Sequence, residues 1–197
     1  NDRHYLDMAV RAVEVLERTA VIQTKGIGWP VEGDVPAMAG MAHGNSGILM
    51  PVISLWKITG EEKYERLAEQ IWQYEEYVYD ERINNWTDLR SAEEQRDDIG
   101  PVAWCHGAGG ILLSRLKCCE DLQDDMWRER FGRDISRACA KLSRYWKRDS
   151  FSLCHGIYGN LMILERAAKK VYWPAGNVKL LPQEKINPGL MNGYGGI

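Results

Sequence analysis

Apolar positions recur at helical spacing in six stretches of this chain. Residues 3–23 and 61–79 are amphipathic, the second placing Tyr64, Leu67, Ile71, Tyr74 and Val78 on one face,. Residues 134–146 repeat that pattern. Three other stretches are more uniformly apolar. The first holds Ile48, Leu49, Val52, Ile53 and Trp56 and is closed by Thr59-Gly60. The second holds Ile111, Leu112, Leu113 and Leu116, and the third Leu161, Met162, Leu164 and Ala168. These read as core-facing helices of two to four turns, and no stretch shows strand alternation. Apolar inner helices followed by polar outer ones predict an all-α array of helical hairpins, able to close into an α/α toroid.

A short glycine word precedes each apolar helix. His43-Gly44-Asn45-Ser46-Gly47, His106-Gly107-Ala108-Gly109-Gly110 and His155-Gly156-Ile157-Tyr158-Gly159 share the form His-Gly-x-x-Gly. Asn192-Gly193-Tyr194-Gly195-Gly196 is a fourth copy with Asn in first place. Repetition at this scale is the mark of a repeat architecture. Each word opens a helix and so leaves backbone N–H groups free at its start. In a closed toroid these helix starts would meet at one face, bringing together His43, Cys105, Cys154 and His155, with His106 nearby.

Composition narrows the class without naming it. The chain has 197 residues, 45% hydrophobic and 27% charged, with a formal net charge of −3. That balance suits one globular domain over 1–197 and supplies no basic field for nucleic acid or an anionic membrane. No apolar run nears the ~20 residues that span a bilayer. Five cysteines make an odd count, which argues against a disulfide framework and for a cytoplasmic home with reduced thiols,. The start at Asn1 and the end at Ile197 lead us to expect a piece of a longer polypeptide.

Two of the cysteines and two of the four histidines fall in one repeated dipeptide, Cys105-His106 and Cys154-His155. Thiolate with imidazole is a donor set that Zn²⁺ favours. Cys118, Cys119 and Cys139 lie in apolar faces and read as packing residues. His4 reads as a solvated terminal residue, and the eight tryptophans as core and rim.

These words resemble the lanthionine synthetase C-like family, most closely the C-terminal cyclase domain of class II lanthipeptide synthetases. The resemblance is carried by Gly40-Met41-Ala42-His43-Gly44-Asn45-Ser46-Gly47-Ile48, Asn85-Trp86-Thr87-Asp88-Leu89-Arg90, Trp104-Cys105-His106-Gly107, Ser152-Leu153-Cys154-His155-Gly156 and the terminal glycine word, in family order. It implies an α/α toroid, of which this chain holds the C-terminal repeats, incomplete at both ends. It implies one Zn²⁺ held by Cys105, Cys154 and His155, with His43 as the acid/base group and His106 assisting proton transfer. The implied reaction adds cysteine thiols of a dehydrated, leader-bearing precursor peptide to its dehydroalanine or dehydrobutyrine residues, giving thioether rings of the kind found in bacteriocins. A dehydratase region in the full polypeptide would supply those alkenes. Pro101 stands where some members have Arg; Arg90 and Arg96 are the nearest cations in sequence that could take its place.

Two other functions fit the same residues. A non-catalytic, zinc-stabilised peptide-binding module would need a fourth protein ligand, with His106 the nearest donor. A glutathione-type thiol-addition enzyme would use the same metal and a free small thiol.

Overall fold

The computed structural model describes residues 2–33, 35–90, 98–120, 122–146 and 150–171. Among them are six helices: α1 (Asp2–Thr19), α2 (Asn45–Thr59), α3 (Glu62–Tyr77), α4 (Ala108–Cys118), α5 (Asp125–Tyr145) and α6 (Ile157–Val171). Helices α2, α4 and α6 follow the three described glycine words and pack in that order, α2 on α4 and α4 on α6. Each of the first two is backed by the polar helix after it, α3 on α2 and α5 on α4. The expected hairpins are therefore present. None of the described helices is long and apolar enough to cross a membrane. The fourth glycine word, Arg96 and the acidic pair Glu93-Glu94 lie outside the described residues.

The apolar spacing is satisfied by two contiguous cores. One joins α1, α2 and α3 through Val13, Leu49, Ile53, Leu67 and Ile71, and extends to Trp127 and Phe131 of α5. The other joins α4, α5 and α6 through Ile111, Leu112, Ala138, Leu142, Leu164 and Ala167, with Trp86 beneath them. All five face residues expected on α3 are buried. Helix α2 stops at Thr59 because Gly60 takes a left-handed conformation (φ 70°), and its amide bonds back to the Trp56 carbonyl,.

Three expectations need correction. Helix α5 begins nine residues before 134, capped by the Asp124 carboxylate, which accepts from the Trp127 amide,. Its first turns bury Trp127 and Phe131 between charged neighbours, and that diluted the apolar signal. On α6 the buried face runs through Ile157, Asn160, Ile163, Leu164 and Ala167, while Met162 is 61% exposed. Asn160 belongs to that face because its amide donates to the Val102 and Trp146 carbonyls. Finally, two antiparallel ribbons of two-residue strands occur, β1 (Val21–Ile22) with β2 (Ile27–Gly28) and β3 (Tyr79–Asp80) with β4 (Asn85–Trp86). Pairs this short carry no readable alternation.

Candidate metal centre

One backbone cage, built three times, shapes the site. The amides of Asn45, Ala108 and Ile157 each donate to the carbonyl seven residues earlier, at Met38, Pro101 and Ser150. Gly47, Gly110 and Gly159 do the same to Gly40, Ala103 and Ser152. Each incoming loop thus folds over the helix start and uses amides that the helix itself leaves free. The second glycine of the word is a steric necessity. A Cβ at Gly47, Gly110 or Gly159 would lie 2.0, 2.2 or 1.9 Å from the carbonyl oxygen six residues upstream.

The three words then dock side by side. The amides of Ala42 and His43 donate to the Cys105 carbonyl at 3.0 and 3.3 Å. The amides of Trp104 and Cys105 donate to the Cys154 carbonyl at 3.0 and 3.3 Å. Backbone alone therefore places the second word between the first and the third.

This docking brings the Cys105 and Cys154 sulfurs and a ring nitrogen of His155 within 4.8 Å of one another. Cys105 is buried, Cys154 half-buried and His155 exposed, so the cluster opens to solvent at one side. Burial pushes the Cys105 thiol up to about 12, and the hydrogen bond and charge of the adjacent Cys154 push the same way. A cation between the two sulfurs would relieve that opposition at Cys105, and coordination would remove the thiol protons. Ligands of one tetrahedral zinc lie about 3.5–3.8 Å apart. The donor types suit that ion, and separations under 4.8 Å leave only a small contraction for it to hold all three.

The other two histidines take different places. His106 Nδ1 lies 3.2 Å from Cys105 Sγ, yet His106 is outside the convergent group of three. His43 is exposed on the neighbouring word and lines a cavity with Trp29, Met41 and Ile48. A carboxylate that we did not single out from the sequence stands near His106. Asp88 is buried, which opposes its ionisation. The Arg90 guanidinium and amide bonded to it, and the field of His106, nevertheless hold the carboxyl below the usual range. Arg90 is thus engaged by Asp88. The sequence word around Asp88 was visible; its approach to His106 depends on the β3–β4 ribbon.

Comparison with known proteins now bears on this arrangement. Residues 1–187 match the family model of lanthionine synthetase C-like proteins. The chain belongs to that family. It is similar to the lacticin 481/lactococcin biosynthesis protein LcnDR2 of Lactococcus lactis subsp. lactis, 31% identical over 139 residues, which is 65% of this chain and 14% of that protein. Among solved structures it is similar to nisin cyclase, with TM-score 0.50 and 24% identity, over 70% of this chain and 36% of that one. The chain thus spans about a seventh of one relative's length and about a third of the other's. At this identity the structural likeness speaks for fold, and the fold is that of the α/α toroid.

Proposed function

We propose that this lanthionine synthetase C-like chain acts as a zinc-dependent cyclase of dehydrated precursor peptides, joining cysteine thiols to dehydroalanine or dehydrobutyrine as lanthionine and methyllanthionine. The observation that carries the reading is the convergence of Cys105, Cys154 and His155, drawn from two docked words, at a solvent-open helix-end face. The names of the relatives, a lacticin 481/lactococcin biosynthesis protein and a nisin cyclase, agree with it. The peptide partner would come from a dehydratase, and the place of action would be the cytoplasm.

Cys105, Cys154 and His155 would hold the metal. A free thiol with pKa near 8.5 is mostly protonated at neutral pH, and bound zinc would supply its ionisation. The addition forms a bond from sulfur to Cβ, the alkene electron pair moves to Cα, and Cα takes a proton. His43 delivers that proton, with His106 as the second candidate; an imidazole pKa near 6.5 suits the task. Three protein donors match the count of a catalytic zinc, and four would match a structural one.

One contact favours a second reading. His106 Nδ1 at 3.2 Å from Cys105 Sγ could become a fourth ligand, which would make the site a closed, structural one. Elemental analysis with X-ray absorption separates the two. Two sulfurs, one nitrogen and one exchangeable light ligand support the cyclase; two sulfurs and two imidazoles support the binding module. Under the cyclase reading, His43→Ala keeps its zinc and loses ring formation, scored by mass spectrometry of thiol-alkylated product. Loss of zinc from His43→Ala would remove His43 from the proton-transfer role.

A further inference from the structure

We propose that Cys105 and Cys154 form a reversible disulfide when no metal holds them, so that zinc and an oxidant compete for the same two sulfurs. The inference rests on the reading of that pair as zinc ligands and adds a means of regulating the site. The two sulfurs lie within 4.8 Å of each other. A disulfide brings them to about 2.05 Å, with the Cβ atoms about 3.5–4.5 Å apart. The backbone has done much of this work. The Trp104 and Cys105 amides donate to the Cys154 carbonyl, which holds the two segments side by side. Each segment is also pinned by its own cage, one through Ala108 and Gly110, the other through Ile157 and Gly159. The remaining gap is left to the two side chains.

Burial gives the two thiols different parts. Cys154 is half-buried at the open side of the cluster, beside the exposed His155, and Cys105 is 4% exposed. An oxidant arriving from solvent meets Cys154 first, and Cys105 stands behind it as the thiol that closes the bond. An accessible cysteine with a resolving neighbour is the usual arrangement of a redox-sensing pair. With a peroxide as the oxidant, the Cys154 sulfur takes one oxygen as sulfenic acid and the other leaves as water. The Cys105 sulfur then bonds to the Cys154 sulfur, and the sulfenic oxygen leaves as water with the Cys105 proton. The two thiols give up two electrons and two protons, and the peroxide takes both. A reducing dithiol returns them.

The other cysteines stand apart. Cys118 ends α4, a helix of 11 residues and so about 16 Å long, and Cys119 follows it,. Both therefore lie at the far end of α4 from Cys105. As consecutive residues at a helix end they do not face each other. Cys139 is buried within α5. A transient bond is also the form disulfides take where thiols are otherwise kept reduced.

The test uses the full 197-residue chain, reduced and stripped of metal by a chelator, then treated with hydrogen peroxide. Mass spectrometry of the alkylated, digested chain should show the Cys105 and Cys154 peptides joined, with Cys118, Cys119 and Cys139 still alkylated. The oxidised chain should lose zinc uptake, and dithiothreitol should restore it. Zinc added before the peroxide should keep both thiols reduced. Cys105→Ser should leave a Cys154 sulfenic acid that dimedone traps; Cys119→Ser should change nothing. Bonds between chains as the main product, pairing of Cys119, or five unchanged thiols would overturn the proposal. So would a share of the Cys105–Cys154 bond no greater in buffer than in concentrated urea. A chain that takes up zinc yet never forms the bond overturns the switch and spares the zinc reading. One that forms the bond equally fast with zinc present, and takes up none, overturns the zinc reading.

Discussion

Two polar regions, one between the helices and one in the loops that lead into them, differ in how they settle their charge. Behind the glycine words, Arg115 of α4 is fully buried between Glu75 of α3 and Asp134 of α5, with its Nε 2.8 Å from Asp134. Ser46 of α2 donates to Glu75, Ser114 donates to the Ser46 carbonyl, and the Trp72 indole donates to Asp134. Burial alone would lower the Arg115 pKa, but Glu75 and Asp134 outweigh it and hold it above the usual range. At the helix starts the relation is the opposite: burial and the neighbouring Cys154 both disfavour a charge on Cys105. A group whose charges attract one another belongs to the fold. A thiol whose ionisation its surroundings oppose is one that a cation from outside would relieve.

The largest effect should come from breaking the first region. Removing one partner of a buried pair typically costs about 3–5 kcal/mol, because a charge is left behind without its partner. Arg115→Ala should therefore unfold at much lower urea, or fail to accumulate folded. Replacing Arg115, Glu75 and Asp134 together by apolar residues of similar volume should recover most of that loss. A single variant as stable as the parent would show that the network is not the clamp between α3, α4 and α5.

The next effect lies in the cages. A Cβ at Gly110 would sit 2.2 Å from the Trp104 carbonyl oxygen and 2.6 Å from the Met41 amide nitrogen, both backbone atoms. Overpacking of this kind costs about 1–3 kcal/mol. Here the displaced segment carries Cys105, so Gly110→Ala should also lower zinc stoichiometry. Gly132, inside α5, is the contrast, since a Cβ there meets nothing within 4 Å. Gly132→Ala should stabilise by about 0.5–1 kcal/mol and leave zinc untouched. Thermal unfolding with metal analysis reads both.

Breaking the second region should separate metal from fold. Cys154→Ala removes a half-buried thiol, so metal-free stability should change by less than about 1 kcal/mol while zinc binding is lost,. Zinc uptake by the parent should release protons and tighten as pH rises, because the buried Cys105 thiol holds its proton in the metal-free chain,. Titration with a zinc chelator and a pH indicator tests both.

These contrasts explain which features could be read from residues alone. The convergence of Cys105, Cys154 and His155 is legible because each sits in a repeated word, and repeats fix equivalent positions. Helices α2 and α3 were legible from apolar spacing closed by Gly60. The Arg115 network was not, because Glu75, Arg115 and Asp134 lie on three helices and each looks like an ordinary surface charge in its own stretch. The His43 cavity was hidden for a related reason. Its lining includes Trp29 and Val31, more than ten residues before His43, and the ribbon β1–β2 and the bond of the Trp29 indole to the Leu16 carbonyl bring that segment there. The α6 register was missed at Asn160, a polar residue whose burial depends on two carbonyls from distant loops.

The smallest expected effect tests whether the carboxylate near His106 behaves like the buried network or like an exposed pair. Asp88 is held by the Arg90 side chain at 2.6 and 2.9 Å and by the Arg90 amide at 3.1 Å, with Arg90 about one-third exposed. Its carboxyl lies below the ordinary range in the folded chain, against about 3.9 when unfolded,. The folded form therefore binds its proton less readily than the unfolded one. Its contribution to stability is fully present above pH ~4 and is lost as pH falls through the lower folded value. With solvent reaching Arg90, that contribution should be about 0.5–1 kcal/mol. Urea unfolding of the parent and of Asp88→Asn should differ by this amount at pH 7 and converge below pH 4. A gap of several kcal/mol at pH 7 would place Asp88 with Arg115 among the buried ion pairs. A gap that persisted unchanged at low pH would mean that shape, and not charge, is what Asp88 contributes beside His106.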